Sequence, residues 1–284
     1  GHTKGNRLPV LARKPAPVQM SYLGYPTTTG MAAVDYKLSD AYLTPPSTPE
    51  RYAERILNLP DSFLCYAPPS DAPVVAPAPV GRPVTFGSFN ATAKISEPVV
   101  ALWSRLLRDL PDTRLILKTQ ALDDPATRDR YLSMFATHGV ASSRLDLRGH
   151  DGTIGLHLAQ YGEIDIALDP FPYNGGTTTL EALWMGVPVL TLVGDHASAR
   201  HGLSILATVG LSDLASRTPE AFLRAARSLA GDAERRTGLR AELRERVARS
   251  PLCDGKRFAT NVEALYRAAW RSWCAETLRI REAE

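Results

Sequence analysis

The stretch DPFPYNGGTTTLEALWMGVPVLTL, residues 169–192, decides the fold and the candidate site of this chain. A short, β-branched apolar run at residues 164–168 precedes it and predicts a strand buried on both faces of a parallel sheet. The glycines at 175 and 176 predict a tight turn, and the following residues predict a helix that Gly186 ends. Residues 187–192 then predict the next strand of the sheet.

The start of this predicted helix has the features of an anion site. The first N–H groups of a helix lack partners inside it, and the positive end of the helix dipole lies at the same place. The threonines at 177–179 add hydroxyl donors, and Glu181 follows one turn later, where a carboxylate can bind a ribose hydroxyl pair. Glycine followed by threonine is also ordinary helix capping, and the pattern leaves that alternative open. It matches neither the P-loop nor the dinucleotide-binding Gly-x-Gly-x-x-Gly pattern.

Composition limits the classes of function. The 284 residues are 44% hydrophobic with a net charge of +3, which predicts a globular protein without a nucleic-acid or membrane surface. The three cysteines have no disulfide or metal spacing, which favours a reducing compartment, and we expect a cytoplasmic protein. No apolar run approaches a membrane span, and no signal peptide opens the chain. Residues 1–7 contain no initiator Met, and we expect a fragment.

From residue 84 onward, alternating strand and helix patterns predict an α/β fold with a parallel sheet flanked by helices. The predicted strands are 84–89, 114–118, 144–147, 164–168 and 187–192. The predicted helices between them are 96–110, 125–137, 153–161 and 177–185. The remainder is predicted to be helical, over 198–208, 218–230, 233–249 and 255–278.

The chain is expected to divide into four parts. Residues 1–70, with predicted strands at 16–23 and 36–40 and a short predicted helix at 50–57, are expected to be the closing part of a second Rossmann-like lobe. The Pro- and Ala-rich residues 71–83 predict an extended connector, and residues 84–254 the main lobe. Residues 255–284 predict a helix whose apolar stripe is too broad for a free helix. We interpret the stripe as core that packs back across the first lobe.

Two further side chains are candidates for the site. Lys94 follows the first strand of the main lobe, where strand ends of a parallel sheet face ligands, and it can stabilise a departing diphosphate. A solvated loop lysine is the alternative. His157 lies on the predicted helix 153–161, and a half-buried structural histidine is the alternative there. The histidines at 150, 196 and 201 show no better arrangement, and no metal site is expected.

These motifs resemble the catalytic region of the protein O-GlcNAc transferase and SPINDLY family. The resemblance rests on residues 169–192 with FNATAKI (89–95), PAPVQ (15–19), LGYPTTTG (23–30) and DY (35–36), and it covers nearly the whole chain. It implies a GT-B fold, two Rossmann-like lobes with a cleft between them. It also implies transfer of GlcNAc from UDP-GlcNAc to Ser or Thr hydroxyls of proteins, with inversion and without a metal or other cofactor. The Arg- and Ala-rich composition indicates a bacterial homologue.

The resemblance also assigns roles to residues. By motif match Lys94 is the catalytic, diphosphate-contacting lysine, and Tyr25 and Pro26 lie on the acceptor and sugar side. The resemblance implies a donor-nucleotide-binding set of Asn90, Lys94, Gly152, His157, Gly175, Gly176, Thr177, Thr178 and Glu181. Two positions depart from the family's animal members, since Ala91 replaces a Gln and Gly176 replaces a His.

Partners and rival functions follow from the same resemblance. The expected partners are a nucleotide-sugar donor, a protein or peptide acceptor, and the N-terminal lobe and tetratricopeptide repeats of the same protein. GDP-fucose, used in the SPINDLY branch, is the alternative donor. A non-catalytic sugar-nucleotide-binding module is the alternative of another class. A dehydrogenase is disfavoured because the dinucleotide fingerprint is missing.

Overall fold

The computed structural model describes residues 5–283, so the first four residues of the predicted first segment and Glu284 lie outside the described residues. The described residues form nine strands: β1 Met20–Ser21, β2 Tyr36–Asp40, β3 Arg55–Leu59, β4 Thr85–Ser88, β5 Arg114–Lys118, β6 Leu145–Arg148, β7 Ile166–Leu168, β8 Val189–Leu192 and β9 Ala215–Ser216. They also form nine α-helices: α1 Leu8–Leu11, α2 Glu97–Asp109, α3 Pro125–Thr137, α4 Ile154–Ala159, α5 Thr177–Trp184, α6 His201–Thr208, α7 Pro219–Gly231, α8 Ala233–Ala248 and α9 Gly255–Ala283.

The larger sheet has the order β6-β5-β4-β7-β8-β9, and every neighbouring pair is parallel. The chain builds outward from β4 to one edge, then returns to β7 beside β4 and builds to the other edge. The strand order therefore reverses between β4 and β7, which is where ligands bind in doubly wound sheets. The predicted Rossmann-like α/β fold is confirmed.

Apolar side chains at helical and strand spacing form the core of this sheet. Phe86 on β4 and Leu115 on β5 are fully buried, as are Trp103 and Leu106 on α2. Leu102 and Leu106, four residues apart on α2, both face the core, as expected for an amphipathic helix. Burying side chains of this size contributes about 1.5–3 kcal/mol each.

A second sheet of order β1-β2-β3, also parallel, lies in the first segment. Here two predictions fail. The strand predicted over 16–23 is reduced to Met20–Ser21. The helix predicted over 50–57 is wrong, because Arg55–Leu59 is a strand that pairs with all five residues of β2. Pairing with a neighbouring strand satisfies the backbone groups of β3, and this tertiary contact overrides a short local helical pattern.

The long helix α9 contacts the first segment. Phe258, Val262 and Leu265 pack on a small apolar cluster formed by Leu43, Leu59, Phe63 and Ala197. This cluster contains residues from both sheet regions, so α9 helps to hold them together. The interpretation of the whole stripe as core is wrong for Tyr266 and Trp270, which are about half exposed. Those side chains lie beyond the residues that meet the cluster.

The segment between the two sheets, residues 60–84, contains no helix or strand. Its middle is held against the larger lobe, since Arg244 on α8 donates to the Pro73 carbonyl at 2.7 Å. Val75 packs close to the turn at Gly186, where a Cβ would lie 2.7 Å from its Cγ1. No helix within residues 5–283 combines the length and apolarity needed to cross a membrane.

Substituting Gly186 should cost more stability than substituting Gly210. Both glycines follow a helix with positive φ, +76° and +72°, which an alanine adopts at a cost of about 1 kcal/mol. A Cβ at Gly186 would also lie 2.7 Å from the Arg240 carbonyl, whereas nothing lies within 4 Å at Gly210. We expect Gly186→Ala to lower the free energy of unfolding by roughly 3 kcal/mol and Gly210→Ala by about 1 kcal/mol, measured by urea unfolding. Equal losses would contradict the crowded environment at Gly186.

Candidate functional site

One buried carboxylate, that of Asp169, fixes the glycine turn after β7. Asp169, 1% exposed, accepts a 2.6 Å hydrogen bond from the Gly175 backbone N–H and a 2.7 Å bond from the Thr191 hydroxyl. Burial raises the pKa of Asp169 to about 7, and the Gly175 hydrogen bond opposes that shift. The carboxylate therefore ties the turn to the neighbouring strand β8.

The two glycines have different roles. A Cβ at Gly175 would lie 2.5 Å from the Thr178 hydroxyl and 3.0 Å from the Asn90 side-chain oxygen, so only glycine fits this close approach. A Cβ at Gly176 would meet nothing within 4 Å. Gly176 thus lines open space, and this position has room for a side chain.

Helix α5 begins at Thr177 without a side-chain cap. Its first N–H groups have no intrahelical partner, because the first hydrogen bond of the helix runs from Leu180 N–H to the Gly176 carbonyl. The Thr178 hydroxyl does not cap the helix but donates to Asn90 at 2.9 Å. The ordinary capping interpretation of the Gly–Thr pattern is therefore not supported, and the helix start is open to an anion.

Lys94 reaches the same place from the loop after β4. Its ammonium donates to the Asn174 carbonyl at 2.8 Å and lies 4.6 Å from the centre of the Tyr173 ring. Burial lowers the pKa of Lys94, and the nearby Asp169 opposes that shift. Lys94 forms no ion pair within residues 5–283. A solvated loop lysine, the alternative raised by the sequence, is thus excluded.

A second polar group surrounds Glu181, one turn along α5 from its start. His157 contacts Glu181 at 3.3 Å through Nε2, and its Nδ1 lies 2.6 Å from the Lys118 ammonium. Lys118, 3% exposed, forms an ion pair with Asp151 at 2.7 Å. Because an ammonium can only donate, His157 accepts through Nδ1 and carries its proton on Nε2, directed at Glu181. This network orients the Glu181 carboxylate.

The structure brings most of the predicted site residues together. A cavity of about 430 Å³ between the two sheets is lined by Asn90, Lys94, Gly176, Thr177, Thr178 and Pro26. The Tyr25 ring lies at its side, 6.4 Å from the Tyr173 ring. His157 and Glu181 do not line this cavity; Glu181 lies one turn along α5 from Thr177 and Thr178, on the same face of the helix. Gly152 is exposed in the loop before α4, and no contact of the described residues joins it to either group.

The sequence analysis misses four polar residues of this region. Lys118 and Asp151 build the His157 network, and Lys37 and His201 line the cavity. The expectation that His201 has no special arrangement is wrong, because its ring stacks on Phe63 with centroids 5.2 Å apart and faces the cavity. Lys118 ends a predicted strand at the carboxyl edge of the sheet, and this position could have identified it as a candidate site residue. Within the described part of the chain, no three His, Cys, Asp or Glu side chains form a group that could hold a metal ion.

The comparisons with known proteins agree with this architecture. The model of the family described as Glycosyl transferase family 41 matches residues 1–67 and 79–262. A Petunia hybrida protein named "Probable UDP-N-acetylglucosamine--peptide N-acetylglucosaminyltransferase SPINDLY" is 43% identical over 281 residues, 96% of this chain and 30% of that protein. An Arabidopsis thaliana protein with the same enzyme name and the designation SEC is 29% identical over 287 residues, 97% of this chain and 29% of that protein.

A solved structure matches the fold closely. A mutant of the Thermobaculum terrenum O-GlcNAc transferase is 40% identical and superimposes with a TM-score of 0.88, covering 95% of this chain and 51% of that one. The chain spans about 30% of the length of the curated relatives named above.

Asp169 should make the stability of the protein depend on pH. Its pKa is about 7 in the folded protein and about 3.9 in an unfolded chain. Between these values the folded state keeps a proton that the unfolded state releases, so the free energy of unfolding falls as the pH rises from about 4 to about 7. Asp169→Asn, whose amide oxygen can accept from the Gly175 N–H and whose NH2 group can donate to the Thr191 hydroxyl oxygen, should remove up to about 1.4 kcal/mol per pH unit of this slope. Urea unfolding across this pH range measures it.

Asp124→Asn is the matched control for Asp169→Asn. Asp124 is an exposed carboxylate that caps α3, and its hydrogen bonds with Thr127 lower its pKa. Its titration therefore lies below the tested range, and the variant should keep the wild-type slope. Identical slopes for wild type and Asp169→Asn would show that Asp169 is not the titrating group.

Proposed function

The chain belongs to glycosyl transferase family 41 and has a GT-B type fold, and we propose that it forms the donor-nucleotide half of a protein glycosyltransferase. The proposed reaction moves GlcNAc from UDP-GlcNAc to Ser or Thr hydroxyls, with inversion and without a metal. The open N-terminus of α5, facing a cleft that also holds the unpaired Lys94, is the observation that carries the proposal.

The proposed role of the cleft is to bind the diphosphate. The free N–H groups at Thr177 and Thr178 present donors and a positive dipole end to it, which suits phosphate oxygens. Lys94 adds positive charge at the same place and forms no ion pair within residues 5–283, although the nearby Asp169 favours its charged form. Partial burial of this ammonium is costly, and a bound anion offsets that cost.

The proposed mechanism uses this charge during bond breaking. The acceptor hydroxyl oxygen bonds to the anomeric carbon while the bond from that carbon to the diphosphate oxygen breaks, with attack from the opposite face and hence inversion, and the hydroxyl proton is released to water. Negative charge grows on the departing diphosphate, and Lys94 with the α5 N–H groups stabilises it without rearrangement. The acceptor enters from the side of Tyr25 and Pro26.

We assign the nucleoside end of the donor to the region around Glu181, one turn along α5 from the diphosphate site. The Glu181 carboxylate has two oxygens suited to a pair of ribose hydroxyls, and its contact with His157 holds it in place. Lys118 and Asp151 act through His157 as positioning residues. We further propose the division into a remainder of the first lobe (1–70), a connector (71–83), the donor lobe (84–254) and a returning helix (255–284). The rest of the first lobe, tetratricopeptide repeats and a protein acceptor are its proposed partners.

GDP-fucose is the second candidate donor. The chain is more similar to the Petunia SPINDLY protein, at 43% identity, than to the Arabidopsis SEC protein, at 29%. The open space at Gly176, where the family's animal members carry a histidine, changes the donor contacts at the turn. Both observations are reasons to compare directly how the chain binds uridine and guanosine diphosphates.

Calorimetric titration of UDP and GDP into the chain tests the site. Lys94→Ala removes a charge and Thr178→Val removes a hydroxyl from the diphosphate site, so each should weaken binding of the preferred nucleotide about tenfold or more. Thr208→Val is the matched control, because the Thr208 hydroxyl bonds only within α6, to the Ser204 carbonyl. The better-bound nucleotide identifies the donor base. Wild-type affinity in both site variants would place the diphosphate elsewhere and overturn the proposal.

A further inference from the structure

Lys37 is a buried lysine on β2, in the wall of the cleft opposite α5. It is 2% exposed and lines the same cavity as Lys94 and Thr178. Its ammonium has one hydrogen bond, a long one of 3.3 Å to the Tyr25 carbonyl. An ammonium has three N–H donors, and lysine is rarely buried unless its charge is paired. Most of the hydrogen-bonding capacity of Lys37 is therefore unused.

No carboxylate forms an ion pair with Lys37 within residues 5–283. Burial lowers the pKa of Lys37, and Glu54 and Glu50 oppose that shift from a distance while their oxygens accept other hydrogen bonds. Glu54 accepts from the Thr28 hydroxyl and the Thr29 N–H, each at 2.6 Å. Glu50 accepts from the Tyr52 hydroxyl at 2.6 Å and from the Ala197 N–H at 2.9 Å.

Other lysines of the described chain show what a satisfied ammonium looks like. Lys118, buried to the same degree, forms an ion pair with Asp151 at 2.7 Å. The more exposed Lys14 pairs with Asp35. Lys37 and Lys94 form no ion pair within residues 5–283, and both line the cleft. The cleft thus holds, on opposite walls, two lysine ammonium groups without a direct ion-pair partner among residues 5–283.

His201 connects these two charges. Burial lowers the pKa of His201 to about 4, and Lys94 and Lys37 both lower it further. Both ammonium groups are therefore close enough to act on one ring, and at neutral pH that ring is uncharged. The His201 Nε2 is enclosed with no partner among the described residues. A negatively charged ligand in this cleft would be able to pair with both ammonium groups.

We propose that Lys37 is a second cationic contact to the nucleoside diphosphate, binding the terminal phosphate from the wall opposite Lys94. The inference rests on the proposed function. Sugar hydroxyls carry no charge and would leave one ammonium unneutralised, whereas a diphosphate carries enough negative charge for both lysines and the α5 N-terminus. Lys37 then stabilises the phosphate on which charge grows as the sugar departs, complementing Lys94.

Comparing diphosphate with monophosphate binding tests this assignment. Lys37→Met keeps the length of the side chain and removes its charge, so the affinity for the preferred nucleotide of UDP and GDP should fall about tenfold or more, measured by calorimetry. Affinity for the matching monophosphate should change less than about twofold, because the terminal phosphate is absent. Lys37→Arg should retain most of the diphosphate affinity. Lys14→Met, which removes a lysine outside the cleft, is the matched control and should bind as wild type.

Two ligand-free measurements separate this role from a structural one. Removing an uncompensated buried charge should leave the thermal midpoint unchanged or raise it, whereas losing a structural contact would lower it. The pKa of His201, measured by NMR, should rise in Lys37→Met, because one of the two positive charges that lower it is gone. A lowered midpoint or an unchanged His201 pKa would count against the proposal.

The outcomes also separate this inference from the proposed function. If wild type binds UDP or GDP with sensitivity to Lys94→Ala but not to Lys37→Met, only the role of Lys37 fails. Equal weakening of monophosphate and diphosphate binding in Lys37→Met would also overturn the role of Lys37. Weakening of sugar-nucleotide binding alone would overturn it too, because Lys37 would then contact the sugar. If wild type binds no nucleotide, the proposed function fails and the role of Lys37 fails with it.

Discussion

The hydrogen bond from the Gly175 N–H to the buried Asp169 carboxylate fixes where α5 begins. Because Asp169 also accepts a hydrogen bond from Thr191 on β8, the sheet holds the turn in position together with the loop. The direction of the free N–H groups of α5 follows from that anchor. Everything else in the site is arranged around this helix, with the cleft at its start and the His157 network one turn further along, at Glu181.

Two groups of charged side chains along α5 differ in how they are paired. Around Glu181, the side chains of Lys118, Asp151, His157 and Glu181 contact one another. In the cleft, Lys37 and Lys94 have no carboxylate partner within residues 5–283. A satisfied network rigidifies a protein, whereas unpaired charge costs stability and is retained where a ligand compensates for it. This contrast points to the cleft as the place where a strongly anionic group binds.

The sequence predicts the larger lobe well, because its apolar runs and helix starts are local signals. The strand Arg114–Lys118 and the helix Pro125–Thr137, with Pro at its first position, form where predicted. The first segment is predicted less well, since β3 forms by pairing with β2 and a local pattern does not report that pairing. Contacts such as Lys118 to His157, 39 residues apart, are set by the sheet order and leave no local signal. The glycine turn and Lys94 are predictable because each directly follows a strand of the same parallel sheet.

The cleft also depends on how firmly its two walls are joined. Arg200 donates to the Tyr42 carbonyl at 2.7 Å, and the Ser204 hydroxyl donates to Asp40 at 2.5 Å. Asp40 ends β2, three residues after Lys37, and Arg200 directly precedes His201. The contacts that join the walls are therefore made by the same elements that carry the cleft side chains. Holding two like charges on opposite walls requires such bonds, because repulsion between the ammonium groups would otherwise open the cleft. A bound diphosphate turns that repulsion into attraction on both sides, so the ligand itself would strengthen the contact between the walls.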